Sequence, residues 1–353
     1  MKNFKINFRN QTSDLIALFE KFNNYYSVCN YLHDTSEPLI VDDPNGIPVY
    51  HYSEFRKNTP IKNSTVLIDM FPEGVYVEEE TFENYDKSNQ YIFFANGDWD
   101  KNYYDWGFDY EVVPYNLVLE QQTMFKGNRY KKSGWFNQRY DFEYPKPYMF
   151  VSTNGMREPN RDILIKKLHK DIEYKNYVLK SAGENLGVDI DYLDVWKPNK
   201  DNLSGYNAIQ GLDVSASYLV PIDMYNSAYF NVALETGVNY PNSFVATEKT
   251  YKPMFSGMPF VVFNAPRFLE NLHKQGFQTY GDLWDESYDL EYDIDKRADK
   301  IVKLCQELEN FNWTGNKDKL ESIAKHNGNR LLHCYEIHIE QIKYMKKILH
   351  QLV

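Results

Sequence analysis

The stretch from Tyr229 to Phe263 constrains the fold more than any other part of the sequence. It begins with an apolar segment that ends in a carboxylate at Glu235, and a polar loop follows. The tripeptide Thr247-Glu248-Lys249 opens a short helical pattern, which a glycine and a proline stop before a second apolar segment, Phe260 to Phe263. A strand, a helix and a strand in this order predict a βαβ unit, and therefore an α/β fold with a parallel sheet.

Four polar residues of this stretch are expected at the carboxyl edge of the sheet, where open α/β sheets bind ligands. They are Glu235, Thr247, Glu248 and Lys249. A carboxylate suits ribose hydroxyls, while a lysine and the free backbone N–H groups of a helix start suit phosphate. These residue types predict a site for the nucleoside diphosphate of a group-transfer donor. The residues alone leave open the alternative that Thr247 caps the helix and Glu248 interacts with its positive end.

Two motifs in the second half resemble the donor-site signature of the α-1,3-fucosyltransferases. The first is Phe230-x-x-Ala233-Leu234-Glu235, followed by Thr247-Glu248-Lys249 and Gly257-x-Pro259-x-Val261. The second is the segment Phe150 to Asn154, followed by Arg161. This second motif is similar to the family's strand ending Ser-Asn, with an arginine at the start of the next helix.

The chain departs from the family pattern at three points. Val245 stands where the family has a tyrosine, and Thr236 stands where it has an asparagine after the strand-end glutamate. The loop before Thr247 is also longer. The resemblance is therefore more specific for a nucleotide-sugar transferase than for fucose.

The resemblance implies a glycosyltransferase of GT-B architecture, in which two Rossmann-like domains face a central cleft. It also implies that Arg161, Glu248 and Lys249 contact the nucleotide sugar and that Glu235 touches the sugar hydroxyls. A GDP-sugar is the favoured donor, and a glycan or another hydroxyl compound is the expected acceptor. Transfer is expected to be inverting and to need neither a metal nor another cofactor.

The segment after the predicted strand Tyr148 to Ser152 supplies further candidates for donor binding. Asn154 ends the family-like strand, and Arg157 and Arg161 lie on either side of the start of a predicted helix, where phosphate binds well. The alternative for the two arginines is ordinary surface pairing with the acidic residues beside them.

The length of 353 residues exceeds what one hydrophobic core usually supports, so two domains are expected. Tyr144-Pro145-Lys146-Pro147 is the predicted linker, because consecutive X-Pro units favour extended backbone. Residues 1–147 are then a Rossmann-like acceptor-side domain and residues 148–335 the donor domain. The terminal helix, residues 336–353, is predicted to pack back onto the first domain, as GT-B proteins commonly do.

An inverting transferase needs a general base for the acceptor hydroxyl, and GT-B enzymes normally take it from the first domain. Asp69, Glu73 and Asp98 each follow a predicted strand there. Glu73 and Asp98 are the favoured candidates for the catalytic base. None of the three is distinguished by spacing, and a turn or a helix cap is the alternative role for each.

Charge and composition narrow the range of partners. A formal net charge of −11 disfavours duplex DNA, because phosphate neutralisation dominates affinity for DNA. Basic and aromatic residues alternate from Lys126 to Arg139, which suits an anionic or glycan acceptor as well as a solvated loop. No apolar run is long enough for a signal peptide or a membrane span, so a cytoplasmic location is expected. The three cysteines have no close spacing and indicate neither a disulfide framework nor a zinc site.

Three other functions stay open. A metal-dependent GT-A transferase needs a D-x-D motif, and three segments have this form: Asp98-Trp99-Asp100, Asp189-Ile190-Asp191 and Asp293-Ile294-Asp295. Sugar transfer to a hydroxylated base in DNA would need a basic cleft and base flipping, so a nucleic-acid partner is not favoured. A non-catalytic glycan-binding protein would use its aromatic side chains as stacking platforms.

Overall fold

The chain divides into two compact units, one of residues 1–117 together with 336–353 and one of residues 118–335. The computed structural model describes residues 4–8, 40–42, 45–51, 63–69, 85–95, 98–99, 107–114, 139–154, 159–172, 177–181, 220, 222–238, 243–333 and 335–351. Several predictions lie outside these residues: the helix from Ser13 to Asn23, the candidate base Glu73, the candidate phosphate ligand Arg157 and the segment Asp189 to Asp191.

The first unit is built on a parallel sheet. Its strands are β1 (Phe4–Phe8), β2 (Ile40–Asp42), β3 (Ile47–His51), β4 (Thr65–Asp69), β5 (Gln90–Ala95), β6 (Asp98–Trp99) and β7 (Asp109–Pro114). Six of them form one sheet in the order β2-β1-β3-β4-β5-β7, and every neighbouring pair is parallel. The side chains of Val66 to Ile68 and of Tyr91 to Ala95 are fully buried, as in parallel strands covered on both faces.

The second unit has its own parallel sheet. Its strands are β8 (Tyr148–Asn154), β9 (Tyr177–Ser181), β10 (Ala228–Leu234), β11 (Ser243–Phe244) and β12 (Phe260–Phe263). Four of them form a sheet in the order β12-β10-β8-β9, again with every neighbouring pair parallel. The α/β class and the parallel sheets predicted from the sequence are confirmed.

Seven α-helices accompany the strands in the part of the chain described. They are α1 (Pro159–Asp171), α2 (Ile222–Asn226), α3 (Glu248–Ser256), α4 (Phe268–Lys274), α5 (Ile294–Leu308), α6 (Lys317–Leu332) and α7 (Tyr335–His350). A 3₁₀-helix covers Ser287–Leu290. From Glu336 onward, α7 belongs to the first unit. None of the helices within the described ranges is long and apolar enough to cross a membrane.

The βαβ unit predicted from the sequence is present as β10, α3 and β12. The sequence also predicts that Pro253 kinks the helix or delays its start, because proline removes a backbone donor. The start is not delayed, because the helix begins directly after its N-cap Thr247 and contains Pro253. Pro253 is tolerated because it lies in the last turn, whose end is fixed by Gly257 in the left-handed conformation (φ 86°). The backbone N–H groups of Gly257 and Met258 both donate to the Pro253 carbonyl, at 2.9 Å.

The strand order of the second unit identifies its ligand-binding edge. From β8 the chain places β9 on one side, and then β10 and β12 on the other. The gap between the ends of β8 and β10 is therefore the topological switch point, beyond which open α/β sheets bind ligands. Asn154 ends β8 and Glu235 directly follows β10.

Residues 139–147, which the sequence assigns to the first domain and its linker, pack within the second unit. The Tyr140 hydroxyl donates to the carbonyl of Ala228 at 2.8 Å. The Tyr144 ring stacks on Tyr229, with centroids 5.4 Å apart and planes 8° from parallel. Two aromatic anchors thus hold this segment on the sheet, although its X-Pro pattern favours an extended linker.

An aromatic cluster surrounds the buried indole of Trp313 in this unit. Its ring centroid lies 5.1 Å from that of Tyr229, 6.0 Å from Phe230 and 4.9 Å from Phe311. The indole N–H donates to the carbonyl of Leu308 at 3.2 Å, so the polar end is satisfied as well. Trp313 therefore joins the segment after α5 to strand β10 by packing.

Replacing Trp313 with alanine is expected to destabilise the second unit by about 3–5 kcal/mol, because it leaves a cavity among aromatic rings. Urea unfolding followed by circular dichroism measures this loss. Leu332→Ala is the matched control, because Leu332 is 51% exposed, and a change there is expected to stay within about 0.5 kcal/mol. A loss below about 1 kcal/mol for Trp313→Ala would contradict the packing role.

Candidate active site at the carboxyl edge of the second sheet

Arg161 lies in the first turn of α1 and is bonded to the end of β10. Its Nε donates to the main-chain carbonyl of Glu235 at 3.3 Å, and its Nη2 donates to Thr236 Oγ1 at 2.9 Å. The residue is only 3% exposed. The sequence predicted a phosphate ligand here, and the structure shows a guanidinium anchored at the switch point by these two bonds. Anchoring fixes its position, since a guanidinium has five N–H donors in a rigid fork.

Glu235, directly after β10, is fully buried. Its carboxylate lies at the start of α3 and accepts four hydrogen bonds. Oε1 accepts from the backbone N–H of Thr247 at 3.0 Å and from that of Thr250 at 3.2 Å. The two threonine hydroxyls each donate at 2.6 Å, Thr247 to Oε2 and Thr250 to Oε1. The Glu235 backbone N–H donates to the carbonyl of Phe263 in β12 at 3.0 Å. One residue thus joins two strands and a helix.

Three backbone N–H groups at the start of α3 have partners within the protein. Those of Thr247 and Thr250 donate to Glu235, and that of Lys249 donates to Thr247 Oγ1 at 3.3 Å. The sequence predicted that free N–H groups here would bind phosphate. This prediction is wrong for these three groups, because a buried carboxylate and a capping hydroxyl lie close enough to accept from them. Thr247 is the N-cap, as the alternative interpretation has it, and its role in donor binding stays a prediction.

Glu248 and Lys249 form an ion pair beside this cap. Lys249 Nζ lies 2.8 Å from Glu248 Oε1, with the side chains 13% and 22% exposed respectively. Burial alone raises the pKa of the Glu248 carboxyl. The ammonium groups of Lys249 and Lys252 outweigh burial, so its pKa lies below the ordinary value and the carboxylate is ionised at neutral pH. The pair presents one fixed anion and one fixed cation at the edge of the helix.

Lys252 follows Glu248 by one helical turn, and sequence reasoning missed it. It is 9% exposed. Burial lowers the pKa of its ammonium group to about 8, with a smaller lowering from Lys249 and an opposing effect of Glu248. The only signal in the sequence was its spacing of four residues from Glu248, which places the two side chains on one helix face. The first two turns of α3 therefore carry two lysines and one glutamate.

Two further polar residues that the sequence did not single out fix the loops of the site. Asn264, directly after β12, donates from Nδ2 to the carbonyl of Val245 at 2.8 Å and accepts from the N–H of Ala265 at 2.8 Å. A Cβ on Gly237 would lie 3.1 Å from Asn264 Oδ1, so a larger residue there would press on this contact. Thr250 was also missed, although its spacing of three from Thr247 places both hydroxyls toward one side.

Of the residues predicted for donor binding, the structure brings five together in one bonded group. These are Arg161, Glu235, Thr247, Glu248 and Lys249. For Asn154 the structure gives a backbone position at the end of β8, next to the same switch point. For Asp98 it gives a backbone position in β6 of the first unit. The role of Asp98 as general base, like that of Glu73, stays a prediction.

The D-x-D segments differ in what the structure shows of them. Asp293 is the N-cap of α5 and accepts from the backbone N–H of Lys296 at 3.0 Å, which is a structural role. Asp295 lies 3.5 Å from Lys167 Nζ. In the described ranges no group of three or more His, Cys, Asp or Glu residues is arranged to hold a metal ion.

No protein-family model matches the chain, and no curated protein sequence matches it either. Among solved structures, the chain is similar to that of the DNA-modifying enzyme β-glucosyltransferase, determined with and without uridine diphosphoglucose. The two sequences are 10% identical, the match covers 98% of this chain and 99% of that chain, and the TM-score is 0.46. A mutant of T4 phage BGT in complex with UDP-glucose matches at 11% identity, 99% and 97% coverage and a TM-score of 0.43.

A third similar structure is the N-terminal domain of Candida albicans trehalose-6-phosphate phosphatase, at 10% identity, 98% and 78% coverage and a TM-score of 0.38. Similarities at this level identify neither a substrate nor a reaction for this chain. The resemblance to α-1,3-fucosyltransferases rests on the two motifs alone.

The low pKa of Lys252 predicts a characteristic pH dependence of stability. The unfolded chain binds this proton up to pH 10.5 and the folded protein only to about 8, so the unfolding free energy rises with pH across that window. Lys252→Met removes this contribution. The wild-type protein is therefore expected to gain up to roughly 3 kcal/mol over the variant between pH 7.5 and 10.5, measured by urea unfolding.

Lys303→Met is the matched control for charge removal, because Lys303 is an exposed lysine on α5. Its difference from the wild-type protein is expected to stay nearly constant over the same pH range. If the Lys252 and Lys303 variants behaved alike, the ammonium of Lys252 would not be held in a desolvating environment.

Proposed function

We propose that this protein is a glycosyltransferase that moves a sugar from a nucleoside diphosphate sugar to an acceptor hydroxyl. The observation that carries the proposal is the bonded group at the switch point, where Arg161 is bonded to Glu235. Thr247 links the Glu248–Lys249 pair to the same residue. Two fixed cations and one fixed anion at this edge of a parallel sheet suit a pyrophosphate and a ribose. A GDP-sugar is the favoured donor, and fucosyl transfer is the narrower form of the proposal.

The roles follow from charge and position. Arg161 and Lys249 neutralise the pyrophosphate, and the Glu248 carboxylate accepts hydrogen bonds from the ribose hydroxyls. When the donor binds, Lys249 replaces part of its contact with Glu248 by a contact with phosphate. The free-energy cost is small, because Lys249 then bonds to phosphate and Glu248 to the ribose hydroxyls. Low exposure strengthens each of these interactions relative to water.

Transfer itself is proposed to be an inverting displacement. A carboxylate of the first unit, Glu73 or Asp98, takes the proton of the acceptor hydroxyl while the oxygen of that hydroxyl attacks the anomeric carbon. The bond from that carbon to the diphosphate breaks, and the leaving group keeps the electron pair. Arg161 and Lys249 stabilise the charge that develops on the diphosphate, which is the task a metal ion performs in the GT-A class. A glycan is the favoured acceptor, and a hydroxylated base in DNA is the alternative.

Lys249→Ala and Glu248→Ala are expected to weaken donor binding at least about tenfold while leaving the fold intact, because each removes a charged contact worth about 1.5–3 kcal/mol. Arg161→Ala is expected to do the same and to lower stability as well, since it removes a donor from a buried carbonyl and from a half-buried hydroxyl. Titration calorimetry with GDP-fucose, UDP-glucose, dTDP-glucose and CMP-sialic acid measures the affinities.

CMP-sialic acid has a single phosphate and is the built-in control for pyrophosphate recognition. Lys274→Ala is the matched control variant, because Lys274 is an exposed lysine on α4. Failure of the wild-type protein to bind any diphosphate sugar would favour the glycan-binding alternative and overturn the proposal.

Sugar transfer is expected to survive removal of divalent cations, because the cationic side chains take over stabilisation of the leaving diphosphate. Product formation is measured with and without excess EDTA, using glycan acceptors and hydroxymethylated DNA in parallel. Loss of turnover on chelation, restored by Mg²⁺ or Mn²⁺, would point to the GT-A mechanism instead. The acceptor that yields product separates glycan transfer from transfer to DNA.

A further inference from the structure

We infer that Glu235 is a positioning residue of the donor site. It holds the start of α3 against the end of β10, and thereby sets the places of Glu248 and Lys249, without touching the donor itself. The inference rests on the proposed donor site and states how that site is kept in shape. It replaces the role in sugar binding that the family resemblance implies for the strand-end glutamate.

The carboxylate is hydrogen-bonded within the protein and closed to solvent. Its oxygens accept four hydrogen bonds from Thr247 and Thr250, two of them at 2.6 Å, and none of the residue is exposed. Since no part of the anion is accessible, a sugar hydroxyl could reach it only if the packed groups around it, including these donors, moved away. Leaving a buried hydroxyl or N–H group without its partner carries a desolvation penalty, so the exchange gains nothing.

Glu235 also fixes the arginine. Its main-chain carbonyl accepts from Arg161 Nε, while its carboxylate holds the helix that carries Lys249. The spacing between the two proposed phosphate ligands therefore depends on one residue. Misplacement by about 1 Å is enough to weaken a site in which several charged groups must meet one ligand.

Thr250 distinguishes a positioning role of Glu235 from direct contact with the donor. Thr250 is fully buried, and its hydroxyl donates to Oε1 from within the helix. Thr250→Val removes that donor and keeps the volume, yet it removes no group within reach of a ligand at the helix start. A positioning role thus predicts that Thr250→Val reproduces part of the Glu235→Gln defect. Direct contact by Glu235 predicts that it does not.

Ser256 provides the matched control at the other end of the same helix. It is buried, and its hydroxyl donates to the Pro253 carbonyl at 3.0 Å. Like Thr250→Val, Ser256→Ala removes a buried hydrogen bond from α3 and so lowers stability. It leaves unchanged the clamp, which is the set of hydrogen bonds from Thr247 and Thr250 to the Glu235 carboxylate. A general loss of helix stability would affect this variant as well.

The experiment compares the wild-type protein with Glu235→Gln, Thr250→Val, their double variant and Ser256→Ala. Dissociation constants for GDP-fucose and UDP-glucose are measured by calorimetry, and hydrogen exchange of peptides within 243–256 is measured without ligand. We expect Glu235→Gln to weaken donor binding about tenfold and Thr250→Val about threefold or more. The double variant should lose less than the product of the two factors, because both changes release one clamp. Ser256→Ala should stay within about twofold.

In the exchange measurement, both clamp variants should speed exchange at the start of α3, whereas Ser256→Ala should not. The inference is overturned if Glu235→Gln weakens donor binding and Thr250→Val leaves it unchanged. It is also overturned if the wild-type protein binds donor and both variants bind it with the same affinity. If the wild-type protein binds no nucleotide sugar, the proposed function fails. Hydrogen exchange then tests the positioning role by itself. If Glu235→Gln and Thr250→Val both exchanged at wild-type rates at the start of α3, Glu235 would have no positioning role.

Discussion

The carboxyl edge of the second sheet depends on a buried anion, the carboxylate of Glu235. Burying a charge without compensation is very unfavourable, so such a group persists only where hydrogen bonds replace its hydration. Here Thr247 and Thr250 supply four donors from one helical turn. The anion in turn fixes that turn, because moving it would break several bonds at once. Sequence and structure are connected at this point: a glutamate after an apolar strand and two threonines three residues apart define where α3 begins.

This clamp concentrates charge on a rigid element. Glu248, Lys249 and Lys252 follow it within two turns, all of them largely buried. Interactions among them are stronger than on an open surface, and the two lysines lower the pKa of Glu248. The pKa of Lys252 is lowered chiefly by burial, which Glu248 only partly offsets. An arriving polyanion would meet preorganised cations and would raise the proton affinity of Lys252.

The sequence predicted the framework of this site well and its hydrogen bonds poorly. Alternating apolar and polar segments located β10 and β12 to within a residue, and a cap was the alternative interpretation of Thr247. Capping frequencies could not show that a residue twelve positions earlier would take the N–H groups, because that contact forms only when the strand and the helix are packed. The depth of Lys252 is likewise a property of tertiary packing, and a lysine in a polar helical pattern gives no sign of it.

Pro253 shows how the two ends of α3 act together. Proline has no backbone donor, so the Lys249 carbonyl loses its usual partner four residues on, and a free helix would fray there. The Pro253 carbonyl instead accepts from Gly257, Met258 and the Ser256 hydroxyl, which closes the helix directly before β12. With Glu235 fixing the other end, the nine residues of α3 are held between two strands of one sheet. A helix this short does not hold its shape by propensity alone. Its charged side chains keep their places because the contacts at its two ends fix the helix on the sheet and so stabilise its conformation.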